Sequence, residues 1–209
     1  MKTVALISQK GGSGKTTLAL HLAVASSRER NTAVIDLDPQ ASATRWADRR
    51  EDVVPVVLSA HASRLLHEMQ HVDGAGGELL ILDTAPHADS TALDAAKAAD
   101  LILIPCRPAI LDLEAISNSL ELVKTTRTPV FVVLNGVAPR GNEANDVAAA
   151  IAGLGVDVAP VRLVNRVAFA RSLISGHTAQ EFRPRSKAAQ EVAGLHTFTC
   201  AVLNIGQEE

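Results

Sequence analysis

The sequence predicts an α/β fold, with a doubly wound, mostly parallel sheet flanked by helices. Three observations lead there. Apolar runs of strand length recur at Thr3–Ser8, Thr32–Asp36, Leu79–Asp83, Leu101–Pro105 and Val130–Asn135, and most are followed by a segment with helical spacing. The runs are continuously apolar rather than alternating, as strands covered on both faces must be, and this favours parallel pairing. The apolar content is aliphatic: 47% of residues are hydrophobic but only 2% are aromatic. A core of Ala, Val, Leu and Ile suits helices packed on such a sheet.

In chain order, helices are expected at Gly14–Ser27, Ala41–Arg50, Ser63–Gln70, Ser90–Ala98, Asp112–Lys124, Glu143–Ile151, Ala168–Ser175 and Ser186–Val202. Between them, Gly- and Pro-bearing stretches at Asp73–Gly77, Pro139–Asn142 and Glu181–Arg185 read as loops. None is long enough to join two domains, so residues 1–209 are expected to form one domain. A chain of this length buries roughly 70% of its unfolded surface. The tail Gly206–Glu209 is expected to fray.

The formal charge of −3 gives no overall basic bias, so any nucleic-acid contact must come from a local patch. Cys106 and Cys200 form no C-x-x-C pair, which argues against a zinc or dithiol site and fits a reducing cytosol. No signal-peptide pattern follows Met1, and no apolar run approaches the roughly 20 residues that span a bilayer. A cytoplasmic protein is expected.

The chemistry begins at the first strand. Val4-Ala-Leu-Ile-Ser-Gln-Lys-Gly-Gly-Ser-Gly-Lys-Thr-Thr17 places a glycine-rich turn between a buried strand and a helix, the context of a phosphate-binding loop. Gly11, Gly12 and Gly14 let the backbone approach an anion and turn successive N–H groups toward it. Ser13 and Thr17 complete the turn and open the helix, whose positive end helps hold the charge. Lys15 is expected to reach the β- and γ-phosphates of ATP, and the Thr16 hydroxyl to ligate Mg2+. Where the usual motif has its first glycine the chain has Gln9, and an additional lysine, Lys10, follows.

Two acidic strand ends come next. In Val34-Ile-Asp-Leu-Asp-Pro-Gln40, Asp36 and Asp38 point to one side of a strand's carboxyl end, where a metal and an attacking water must be organised. Taken alone, an Asp-Pro pair is also an ordinary turn former. Leu79-Leu-Ile-Leu-Asp-Thr-Ala-Pro86 has the form of a buried strand delivering one acid, Asp83, at its tip; a capping aspartate is the plainer alternative.

Lys10-Gly-Gly-Ser-Gly-Lys-Thr-Thr17 resembles the deviant Walker A box of the ParA/MinD ATPases, a P-loop family in which the extra lysine is the signature residue. The resemblance implies a P-loop NTPase fold, a homodimer formed around ATP, and slow Mg-dependent ATP hydrolysis. It implies that Lys10 reaches the phosphates bound by the partner subunit. Asp38 would position the hydrolytic water, Asp36 would support the magnesium shell, and Asp83 would bind magnesium through water as the Walker B acid. Pro39-Gln40 and Thr84-Ala-Pro86 would be the two switches. Ile104–Asp112 resembles the family's strand-loop before a dimer-contacting helix. Asn135 matches the family's adenine-contacting asparagine, although a strand-end turn residue explains it nearly as well. Pro160 and Arg162 fall where the family often places a base-contacting loop.

Similarity to short ParA-type partition ATPases implies nonspecific DNA binding and a small centromere-binding, ParB-like adaptor, with nucleoid association. Arg162, Arg166, Arg171, Arg183, Arg185 and Lys187 crowd the C-terminal third and could make a salt-sensitive phosphate grip; a solvated charged face is the alternative. A MinD-like membrane role is less expected, because the C-terminal segment lacks cations opposite an apolar face. A metabolic synthetase would need a substrate cluster that the sequence does not show. No helix-turn-helix precedes Lys2, so operator reading is not expected.

Overall fold

In a computed structural model, residues 1–109 and 111–206 are described, with Leu111 described for its backbone only. The strands are β1 (Lys2–Leu6), β2 (Thr32–Asp36), β3 (Val56–Ser59), β4 (Leu79–Asp83), β5 (Leu101–Cys106), β6 (Val130–Val137), β7 (Asp157–Val158) and β8 (Leu163–Val164). The helices are α1 (Lys15–Ser26), α2 (Ser42–Ala47), α3 (Leu65–Gly74), α4 (Asp89–Ala98), α5 (Leu111–Val123), α6 (Glu143–Gly153), α7 (Val167–Ile174), α8 (Ala179–Phe182) and α9 (Lys187–Leu203). A single 3-10 turn, Ala62–Arg64, precedes α3.

The sheet order is β3-β2-β4-β1-β5-β6-β7, with β8 added to the far end of β6, and every pairing is parallel. The doubly wound parallel architecture predicted from sequence is the one observed. Side chains alternate across the sheet, so β1 and the residue after it send Ala5 and Ile7 into one apolar layer and Val4 and Leu6 into the other. The first layer is closed by α3, α4, α5 and α6, and the second by α1, α2, α7 and α9. Each fully buried Leu, Ile or Val contributes about 1.5–3 kcal/mol.

Expectation and structure differ where segments are short or exposed. β3 is exposed at both ends and only partly buried between them, as an edge strand can be. β7 and β8 have two residues each, too few for a periodic pattern. α3 runs through Asp73 and Gly74, part of a stretch expected to be a loop, while α2 stops at Ala47, short of Arg50. Ile110 and residues 207–209, part of the tail expected to fray, lie outside the described residues.

The order of strands locates the site. The chain leaves β1 toward β2 on one side and later fills the other side with β5, so the carboxyl ends of β1, β4 and β5 face a crevice where the winding reverses. Ligands of doubly wound sheets bind at such points.

Candidate nucleotide-binding site

β1 ends at the crevice, and the glycine-rich turn joins it to α1. Gly12 and Gly14 have φ of +74° and +100°, conformations that an L side chain resists. A Cβ on Gly14 would strike the Asn135 amide, whereas the space outside Gly11 and Gly12 is open. The result is a backbone cradle with room for an anion. No side chain caps the start of α1, and no acid stands in its first turn. Its leading N–H groups therefore present positive charge to that cradle without an internal partner.

Lys15 is buried beneath the cradle, donating to the Ser8 carbonyl at 3.1 Å. Burial lowers its pKa, while Asp83 and Asp38 pull it upward. Asp83 has no exposed surface, and neither carboxylate oxygen has a hydrogen-bond partner. Burial pushes its pKa up to about 7, and the nearby Thr16 hydroxyl offsets this only in part. An orphaned, buried carboxylate beside a Thr hydroxyl and a phosphate cradle is the donor set that a magnesium ion fits.

Asp36 is buried as well, but its oxygens are engaged. One accepts from the Asp38 N–H at 3.1 Å, and the other from the Thr44 N–H and hydroxyl at 3.0 and 3.1 Å. The residue fixes the start of α2, so the expected support of a magnesium shell would compete with these bonds. Asp38 caps its own turn through the Gln40 N–H at 2.9 Å. With Pro39, Gln40, Ala85 and Pro86 it lines an open cleft of about 630 Å³ between the two switch segments.

Lys10 projects from the cradle's outer edge and forms an ion pair within its own chain, with the buried Asp112 at the start of α5. Sequence reasoning missed this partner, 102 positions away. Asn135, two residues before the end of β6, donates to the Ser13 carbonyl at 2.8 Å and lines a 270 Å³ pocket with Gly14, Thr17, Arg107, Asn165 and Phe169. That pocket adjoins the cradle where a nucleoside would extend. Pro160 and Arg162, expected at the base, do not line it: Pro160 is exposed, and Arg162 is turned to Asn145 of α6 at 2.7 Å. The pocket wall is made two strand residues later, by Val164, Asn165 and Arg166, because β8 carries the chain back beside β6.

Of the cations expected on a DNA surface, Arg166 is occupied, donating to Glu191 of α9 at 2.6 and 2.9 Å. Arg171, Arg183, Arg185 and Lys187 are exposed, and none has an ion-pair partner among the described residues. Among these residues no helix is long and apolar enough to cross a membrane.

A parallel sheet with a glycine cradle on an uncapped helix, a buried lysine and an unpaired aspartate at the neighbouring strand tip defines a P-loop nucleotide-binding protein. Residues 4–179 match the CobQ/CobB/MinD/ParA nucleotide binding domain, and the chain belongs to that family. It is similar to maintenance of carboxysome distribution protein A of Gloeobacter kilaueensis, with 37% identity over 142 positions that cover 66% of this chain and 65% of the relative. To protein ParA of Rhizobium radiobacter it is 32% identical over 218 aligned positions, covering 97% of this chain and 96% of the relative. An ATP complex of a Cyanothece McdA variant shares the fold, with a TM-score of 0.76 over 100% of this chain and 98% of that one at 17% identity.

Proposed function

We propose that this ParA/MinD-family protein is a Mg-ATP switch that pairs with a second copy around the nucleotide and hydrolyses ATP slowly. In its ATP state it would grip nonspecific DNA and, with a small centromere-binding adaptor, segregate DNA. The observation that carries the nucleotide reading is the orphaned, buried Asp83 beneath an open backbone cradle, a buried cost that bound Mg-ATP would relieve.

In this reading the N–H groups of Gly11 to Thr17 hold the phosphates, and Lys15 neutralises the charge nearest the cleavage point. Thr16 and Asp83 would hold a magnesium ion, which when bound would neutralise further phosphate charge. Asp38 orients the attacking water from the cleft between the switches. Lys10 serves the partner subunit once it leaves Asp112, adding a cation where charge develops as the phosphoryl group departs. Asn135 and the 164–166 segment enclose the base.

The DNA reading rests on Arg171, Arg183, Arg185 and Lys187, exposed cations with no acid paired to them among the described residues. The 37% identity to a protein named for carboxysome distribution favours a second reading, in which the cargo is a protein body rather than a replicon. Gel-shift and sedimentation assays with nonspecific duplex and with anionic liposomes, in ATP and in ADP, test the first. The expected result is ATP-dependent duplex binding whose logarithm falls with log salt at a slope of about −3 to −4 for four phosphate contacts. ATP-enhanced liposome binding without duplex binding would replace it with a membrane switch.

A further inference from the structure

α8 is only four residues long, yet both helices that rise from the nucleotide site hold it. From α1, the wholly buried His21 accepts the Ala179 N–H on Nε2 at 3.0 Å, and the His21 carbonyl accepts from Gln180 at 2.9 Å. The other ring nitrogen bonds the carbonyl of Thr17 at 2.7 Å, a residue of the nucleoside pocket. From the α2 side, the Trp46 indole N–H donates to the His177 carbonyl at 3.2 Å. Arg50 lies across the Trp46 ring and forks onto Glu181 at 2.7 and 3.0 Å, also reaching the Gly176 carbonyl at 3.0 Å.

The grip is tight at both ends. A Cβ on Gly176 would meet the Arg49 carbonyl oxygen at 2.5 Å, so backbone packs on backbone there. Glu181 also closes a capping box with Thr178, which ties the Arg50 fork to the first turn of α8. Upstream, α2 itself begins on Asp36, through Thr44. Downstream, α8 runs straight into Arg183, Arg185 and Lys187, three of the exposed cations.

From this arrangement we infer that α8 is a coupling element. It takes one input from the phosphate-loop helix through His21 and another from the first switch through Trp46 and Arg50, and it carries the basic surface on its output side. Movement of the Asp36–Gln40 segment with nucleotide would re-aim those cations. Coupling of this kind is reciprocal: DNA must tighten ATP binding by the factor by which ATP tightens DNA binding. The inference rests on the nucleotide and DNA readings above, and its test separates them.

Hydrogen exchange of residues 36–44 and 177–187 is to be followed with and without Mg-ATP in the wild-type protein, Arg50→Lys and Glu181→Gln. Arg50→Lys keeps the charge but loses the fork, and Glu181→Gln keeps the shape if the lysine variant folds poorly. In the wild type, exchange is expected to change at both segments. In the variants the change at 177–187 should shrink, since the Arg50 fork is lost while the His21 contacts remain, and that at 36–44 should persist. In parallel, the ATP-to-ADP ratio of affinity for a nonspecific duplex should fall from roughly 5-fold or more toward unity. Exchange that responds at 36–44 but not at 177–187 in the wild type overturns the inference, as does a full response in folded variants. Silence at both segments overturns it together with the nucleotide reading. Coupled exchange without duplex affinity upholds the inference and removes only the DNA reading.

Discussion

Asp36 and Asp83 end adjacent strands and stand opposite each other in the β2–β4 register. Both are buried, with 1% and 0% of their surface exposed. Asp36 accepts three hydrogen bonds and starts a helix, whereas Asp83 accepts none. The contrast teaches that burial does not assign a role to a carboxylate; what has been left unbonded does. A buried acid left without a partner takes up a proton more readily and is a candidate for completion from outside the chain.

The comparison is easiest to break through pH. Asp83 has a folded pKa of about 7 against an ordinary 3.8, so between those values the folded state binds more protons than the unfolded one. Stability of the nucleotide- and metal-free protein should therefore fall as pH rises from 4 to 7, by roughly 4 kcal/mol at most. Asp83→Asn should remove that loss. Urea denaturation at pH 5 and pH 8 measures it, and equal stability differences between variant and wild type at both values would erase the distinction between the two acids. Saturating Mg-ATP should abolish the variant's advantage, since the wild-type carboxylate then has its partner.

His21 works against this trend and sharpens it. Burial holds its imidazole down at about 4, from 6.5, so the unfolded state binds more protons in that interval. Its contribution is complete above pH 6.5 and is lost as pH falls toward 4, by roughly 3 kcal/mol. In the Asp83→Asn background, stability should thus rise monotonically from pH 4 to 6.5. A flat profile would show that the buried imidazole stays accessible to protons.

Asp36→Ala should move stability the other way from Asp83→Asn. It strands the Thr44 and Asp38 N–H groups and should cost about 2 kcal/mol at pH 7; a stabilised variant in thermal melts would make the two aspartates alike. The smallest effect belongs to the Lys10–Asp112 pair, because Lys10 is 45% exposed and solvent screens it. Lys10→Ala should change stability by about 1 kcal/mol or less yet slow steady-state ATP hydrolysis at least about tenfold. A variant that hydrolyses ATP at the wild-type rate would exclude Lys10 from the reaction.

Much of the fold was legible because its central strands announce themselves. β1, β2, β4, β5 and the first part of β6 each carry a continuous apolar run, and covering both faces of a parallel sheet demands such runs. β3, β7 and β8 were not legible, since an exposed edge strand and two-residue strands carry no comparable hydrophobic demand. At the site, Gly11 to Thr17 could be read directly, because a phosphate cradle is made by consecutive residues whose backbone geometry their own types dictate. The lining of the pocket beside Asn135 could not: Asn165 and Arg166 stand there and Pro160 and Arg162 do not, a placement decided by where β8 joins β6.

Taken alone, the amino-acid order determined the parallel sheet, the phosphate loop, and the acids at the tips of β2 and β4, for each depends on neighbours within a few residues. Tertiary structure alone decided that Asp112 holds Lys10 and that Glu191 holds Arg166. Those outcomes join positions brought together by packing across the sheet and between helices, at separations over which local preference carries no information about who meets whom.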